Sequence, residues 1–132
     1  MQGIEVVRAQ AGELAQKYGL SVEAKEEGGQ IFIVIVNAPL PEGKYDRTTV
    51  DVLFITDNQY PLSALDTFWT DIGLRRRNGQ EPQAVSATGT HLGRQWRQLS
   101  WHRNGIWNPA AANGIIDHYE IVLDRWRAEA ES

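Results

Sequence analysis

The stretch that most constrains this chain is Ile31-Phe32-Ile33-Val34-Ile35-Val36, six consecutive apolar residues of which only Phe32 is not β-branched. A run this short cannot make a helix of its own, and β-branched side chains, stiff at χ1, pack well on a pleated surface. It predicts a buried strand. Gly28-Gly29 precedes it, and the weakly alternating residues 21–26 before that turn give it a hairpin partner. Pro39, Pro41 and Gly43 break the chain, and residues 48–56 restart an extended pattern with Val50, Val52 and Phe54 on one side. Asn58-Gln59-Tyr60-Pro61 then makes a loop with a fixed turn. Residues 65–70, which hold Phe68 and Trp69, are short enough for a fourth strand.

Helical spacing flanks these strands. Between residues 4 and 18, Val7, Ala11, Leu14, Ala15 and Tyr18 recur three and four apart and Gly19 follows as a stop, which predicts an amphipathic helix. Near the other end, Asn108-Pro109 offers a capping side chain and a proline for the first helical position. Ile115, Tyr119, Val122 and Trp126 continue at helical spacing. Residues 71–104 show no sustained period of either kind, and a segment that long is functional or tied down by side chains. Its aromatic residues are the expected ties. The expected fold is α+β: an N-terminal helix, a four-stranded antiparallel meander, a long irregular segment and a C-terminal helix, with both helices on one sheet face. Val7, Leu14, Ile33, Ile35, Val52, Phe54, Phe68, Ile115, Tyr119 and Val122 can all face that common surface and form the expected core.

With 132 residues, 42% hydrophobic and 23% charged, the expectation is a single domain over residues 1–132. Five tryptophans, four of them after position 90, make the C-terminal third structured rather than a tail. A net charge of −4 opposes phosphate binding, so no nucleic acid is expected. Arg75-Arg76-Arg77, the only basic run, reads as a solvated turn beside Asn78-Gly79 or a dock for an acidic partner. The absence of cysteine excludes disulfides, thiolate metal sites and a cysteine nucleophile. No cationic-then-apolar leader and no apolar run of about 18 residues is present, so a cytoplasmic protein without membrane partners is expected.

The order of these features resembles the ubiquitin-conjugating-enzyme fold: helix, meander, Tyr60-Pro61 turn, aromatic fourth strand, long segment, and Trp107-Asn108-Pro109 before a helix. More closely, Leu65-Asp66-Thr67-Phe68-Trp69-Thr70-Asp71 and Gly93-Arg94-Gln95-Trp96-Arg97-Gln98-Leu99-Ser100-Trp101-His102 are similar to the bacterial group called prokaryotic family E. That group shows Met/Phe-Trp-x-Asp and Gly-Arg-x-Trp-Gln-x-Trp-Ser-x-His, and the second Trp of the latter falls here at Leu99. The resemblance implies a bacterial pathway containing a ubiquitin-like protein, a ThiF-like activating enzyme and a JAB-type peptidase. Ordinary conjugating enzymes carry their cargo on a cysteine between a His-Pro-Asn motif and Trp-x-Pro, and this chain has neither. Thioester chemistry is therefore impossible for this sequence; a replaced cysteine would have to stand at a Ser or Ala between 84 and 100. The implied role is a cysteine-less carrier or adaptor. The alternative is a non-enzymatic α+β domain binding a small molecule or a protein, which a buried apolar cavity would favour over an open groove.

Within the family-like segment Ser100 and His102 are the one hydroxyl and imidazole close together, so they are the candidate catalytic pair for an oxyester. Activation requires Ser100 within about 3.5 Å of His102, directly or through one water, and open to solvent. Ser86 and Thr90 are the next hydroxyls. The competing reading has Ser100 bonding a backbone amide and His102 a buried carbonyl between Trp rings. His91, His102, His118 and Asp117 offer no ligand spacing for a metal, so neither metal nor cofactor is expected. Trp69, Trp96, Trp101, Trp107 and Trp126 read as core rather than a stacking platform, with Trp107 under the start of the last helix.

Overall fold

The structure, a computed structural model, describes residues 3–83, 85–100 and 106–130. In chain order it contains α1 (Ile4–Tyr18), β1 (Ser21–Glu27), β2 (Gln30–Pro39), β3 (Thr49–Asp57), β4 (Phe68–Asp71), β5 (Val85–His91), β6 (Arg94–Leu99) and α2 (Gly114–Ala130). The first helix ends at Gly19, as its spacing predicts. Gly28 and Gly29 both take positive φ, 58° and 82°, the backbone that closes a two-residue hairpin between twisted strands. All strand pairs are antiparallel, in the order β1-β2-β3-β4-β6-β5.

The α+β class, the terminal helices and the antiparallel sheet are as expected, but among the described residues the sheet has six strands rather than four. The segment 71–104, expected to be irregular, contains the hairpin β5–β6, and β4 pairs with β6. Burial explains why periodicity did not reveal it. In β6, Trp96 and Leu99 are buried on opposite faces with Arg97 buried beside them, so no two-residue alternation of apolar residues appears. In β5, an edge strand, Ser86, Ala87, Thr88 and Thr90 are exposed.

A second correction concerns α2. Asn108 accepts from the Ala110 N–H at 3.0 Å and closes a turn, while the helix begins at Gly114. Its cap is Asn113, whose Oδ1 accepts from the Ile116 N–H at 2.9 Å. Asn113 wins because its amide also ties the helix start to α1, donating to the Gln10 carbonyl at 3.0 Å and Glu13 at 3.3 Å. Glycine is required at 114: a Cβ there would stand 2.5 Å from the Trp107 ring and 2.8 Å from the Tyr60 hydroxyl. Trp107 therefore does pack against the start of the last helix, and its Nε1 donates to the Pro61 carbonyl at 2.7 Å.

Both helices cover one face of the sheet. All ten expected core residues lie there or beneath it, none more than 1% exposed. Because β2 is apolar at every position from 31 to 36, its other face builds a second cluster of Phe32, Val34, Leu53 and Trp96, edged by Val36, Ile55, Trp69 and Leu92. No described helix packs on this open face.

Candidate functional site

The motif segments meet on the open face, where the antiparallel register of β4 and β6 sets Asp71 opposite Trp96. Arg94 lies over the Trp96 ring, 4.1 Å from guanidinium carbon to ring centroid, and pairs with Asp51 at 2.9 Å and with Asp71. Asp51 also accepts from the Asn37 N–H at 2.9 Å, where β2 bulges, so Arg94 links β2, β3, β4 and β6. Three residues of the family-like segments, Asp71, Arg94 and Trp96, thus serve as a brace across the sheet.

Beside the brace is a groove of about 550 Å³, floored by Phe32, Val34 and Trp96 and rimmed by Glu23, Lys25 and Arg94. It is a groove on the uncovered sheet face, not a buried apolar cavity.

At the far end of the hairpin the ladder slips: Val85 pairs with Leu99 and Ala87 with Gln98, leaving Ser86 as the extra residue of a bulge. The bulge brings the Ser86 hydroxyl to 3.5 Å from the Gln98 carbonyl and 3.4 Å from its side-chain oxygen. Ser100, directly after β6, donates to Ser86 Oγ at 2.5 Å. The Gln98 side-chain amide continues inward and donates to Thr67 Oγ1 at 3.0 Å. The result is a polar strip, Ser100–Ser86–Gln98–Thr67, with Ser86 exposed and Ser100 half-buried. Ser100 is not sealed beneath a tryptophan. His102 and Trp101 lie outside the described residues, and with them the Ser100–His102 contact. The strip joins Ser100 to Ser86, which stands fourteen positions earlier; no local motif signals that meeting, because a bulge in an unpatterned strand creates it.

The other singled-out residues have separate roles. His118 is buried on the helix side, its Nε2 3.0 Å from the Thr67 carbonyl and its ring edge-on to Phe54. His91 sits on the open face against Trp69 and Phe32. The two histidines are therefore on opposite faces, and among the described residues no three His, Cys, Asp or Glu groups converge on a point. Arg75-Arg76-Arg77 is zipped to the 43–46 loop: Asp46 N–H donates to the Arg75 carbonyl at 2.9 Å and Arg77 N–H to the Lys44 carbonyl at 3.0 Å.

Two anchors hold the surroundings in place, one that sequence reading missed, Glu129, and one that it singled out, the Tyr60-Pro61 turn. Glu129, buried in the last turn of α2, accepts from the Tyr45 hydroxyl and the Gln83 N–H, each at 2.5 Å, and so fixes the chain just before β5. The Tyr60-Pro61 turn, with a cis peptide bond, is held by Tyr60 Oη donating to Gln10 Oε1 at 2.5 Å. Next to it, the Ser63 hydroxyl and the Gln59 N–H donate to Asp57 and hold its carboxyl below the usual carboxylate range. Among the described residues no helix is long and apolar enough to cross a membrane.

The family model described as Prokaryotic E2 family E matches residues 9–129 of the chain. No curated protein matches the chain, and no solved structure does.

Proposed function

The chain belongs to prokaryotic E2 family E, and from that membership we propose that it is a cysteine-less ubiquitin-conjugating-like component of a bacterial ubiquitin-like modification pathway. It meets a ubiquitin-like protein as a carrier or as an adaptor. A ThiF-like enzyme activates the cargo upstream and a JAB-type peptidase removes it downstream. The whole chain acts as one ubiquitin-conjugating-like domain.

The observation that carries the reading is the placement of Ser100: within the family-like segment, half-exposed, its hydroxyl 2.5 Å from that of Ser86. Without cysteine, the acceptor is a hydroxyl or a lysine, and a carrier that uses the hydroxyl of Ser100 holds its cargo as an ester. The Ser100 oxygen attacks the thioester carbonyl presented by the activating enzyme; the C–O bond forms, the C–S bond breaks and the sulfur leaves as thiolate. The hydroxyl proton goes to His102 as base and from there to the thiolate. A serine hydroxyl is far less acidic than a thiol, so a base is indispensable to the carrier form and dispensable to the adaptor form. The open groove on the sheet, in place of a closed apolar cavity, favours this reading over a small-molecule domain.

The test mixes the protein with the activating enzyme, the ubiquitin-like protein and ATP. A carrier gives a band that survives thiol reductant and is cleaved by hydroxide, and Ser100→Ala abolishes it. Full yield from Ser100→Ala moves the acceptor to Ser86, then Thr90. Binding of the ubiquitin-like protein without any adduct leaves the adaptor form, and the absence of both binding and adduct refutes the proposal.

A further inference from the structure

The two edges of the six-stranded sheet are built differently. At one edge, β1 carries Glu23, Lys25, Glu26 and Glu27, the kind of charged side chains that stop another strand from adding. At the other edge, β5 reads Val-Ser-Ala-Thr-Gly-Thr-His, with no Lys, Arg, Asp, Glu or Pro. Its inner side pairs with β6, and among the described residues no strand pairs with its outer side. An unguarded edge is a row of main-chain donors and acceptors that an extended segment can complete.

Strand polarity ties this edge to the hydroxyl pair. The strand runs from Val85 to His91, with Ser86 near its start, hydrogen-bonded to Ser100. A segment added antiparallel begins beside His91 and ends beside Ser86. On the open-face side, Ala87 and Gly89 present almost no side chain. The Trp69 ring reaches across β6 to within 3.3 Å of where a Gly89 Cβ would stand, so an incoming residue opposite Gly89 meets an aromatic edge.

We propose that the outer edge of β5 docks an extended, uncharged C-terminal segment of a partner protein, added antiparallel so that its last residues lie at Ser86 and Ser100. The inference rests on the carrier reading above, in which a chain terminus must arrive at Ser100. The partner segment is recognised by its main chain, with small side chains preferred over β5 and no charge to desolvate beside it.

The probe is the peptide acetyl-Thr-Val-Thr-Val-Thr-Gly-Gly, titrated into the ¹⁵N-labelled protein up to about 2 mM, a range in which even weak millimolar binding is seen. Amide signals of residues 85–91 shift and saturate while those of β1 do not. Thr88→Lys, at an exposed position that leaves the core untouched, restores an edge guard and weakens binding about tenfold or more. A peptide N-methylated at alternate residues, with the same side chains but without the donors, does not bind. No shift in residues 85–91, shifts confined to the groove around Phe32 and Trp96, or equal binding by the N-methylated peptide each overturns the proposal. Self-association of the peptide-free protein that Thr88→Lys abolishes assigns the edge to a second copy and overturns it too. In the adduct assay, Thr88→Lys forming adduct at the wild-type rate refutes β5 docking while the carrier reading stands. Absence of adduct from the wild type refutes the carrier reading whatever the peptide does.

Discussion

Truncating Leu14 to alanine removes three carbons from a side chain that is fully buried where α1 meets the sheet and α2. At about 0.8 kcal/mol per buried carbon, the transfer loss alone is about 2.4 kcal/mol. The space left behind adds to this, because α1 packs on β1 and β2, whose side chains are held in a hydrogen-bonded sheet and cannot close over it. The expected cost is therefore about 3 kcal/mol, and about 4 at most if nothing relaxes. Val122→Ala removes two carbons from α2 in the same cluster and costs about 2 kcal/mol. Equilibrium unfolding in urea, followed by tryptophan fluorescence, reads both. With a slope near about 1.5 kcal/mol per M, Leu14→Ala lowers the midpoint by about 2 M at unchanged slope. Losses below about 1 kcal/mol at both positions would mean that the helices pack somewhere other than on this face of the sheet.

Two further outcomes follow from the caps and the tyrosines. Asn113→Ala costs about 1 to 2 kcal/mol because it removes the helix cap and the tie to Gln10, whereas Asn108→Ala, at an exposed turn, costs less than about 0.5 kcal/mol; the reverse order in urea unfolding would return the helix start to Asn108. The Tyr18 hydroxyl is pushed up to about 12, first by its hydrogen bond to Glu120, and Tyr119 to about 12, first by burial; Tyr45 moves the same way through burial and Glu129. An unfolded tyrosine ionises near about 10, so these groups contribute stability that is fully present below about pH 10 and is lost as pH rises from there through 12. Absorbance at the tyrosinate band should show incomplete ionisation at about pH 11 unless urea is added, with full ionisation accompanying loss of near-UV circular dichroism; complete titration near about pH 10 with the fold intact would refute the assignment.

What the sequence revealed tracks what burial had patterned. The helix from 4 to 18 and the strands at 31–36 and 48–56 were legible because one face, or both, of each must leave water. The hairpin β5–β6 was not legible: its outer strand has no buried face to mark, and its inner strand buries Trp96 and Leu99 on opposite sides. The cap was misplaced for a different reason. Asn108 and Asn113 are equally good caps by residue type, and the choice is made by contacts with α1, roughly a hundred positions away in sequence. For the site, sequence supplied Ser100 and named Ser86 among the next hydroxyls, but their meeting depends on a one-residue slip in a ladder that no pattern predicts.

The same physics accounts for where chemistry can be added to this fold. The brace of Arg94 with Asp51, Asp71 and Trp96 fixes β6 against the sheet, and Glu129 fixes the chain just ahead of β5. Among the described residues β5 pairs with β6 alone; Val85 at its start packs on the core and His91 at its end on Trp69 and Phe32, while Ser86, Ala87, Thr88 and Thr90 between them are exposed. A position that is held by main-chain bonds and released from burial can present a hydroxyl or accept a strand without cost to the core. The paired residues Ala87 and Thr88 are such positions; Ser86 is the extra residue of the bulge, which turns its side chain toward Ser100 where a regular ladder would have set it in line with its neighbours.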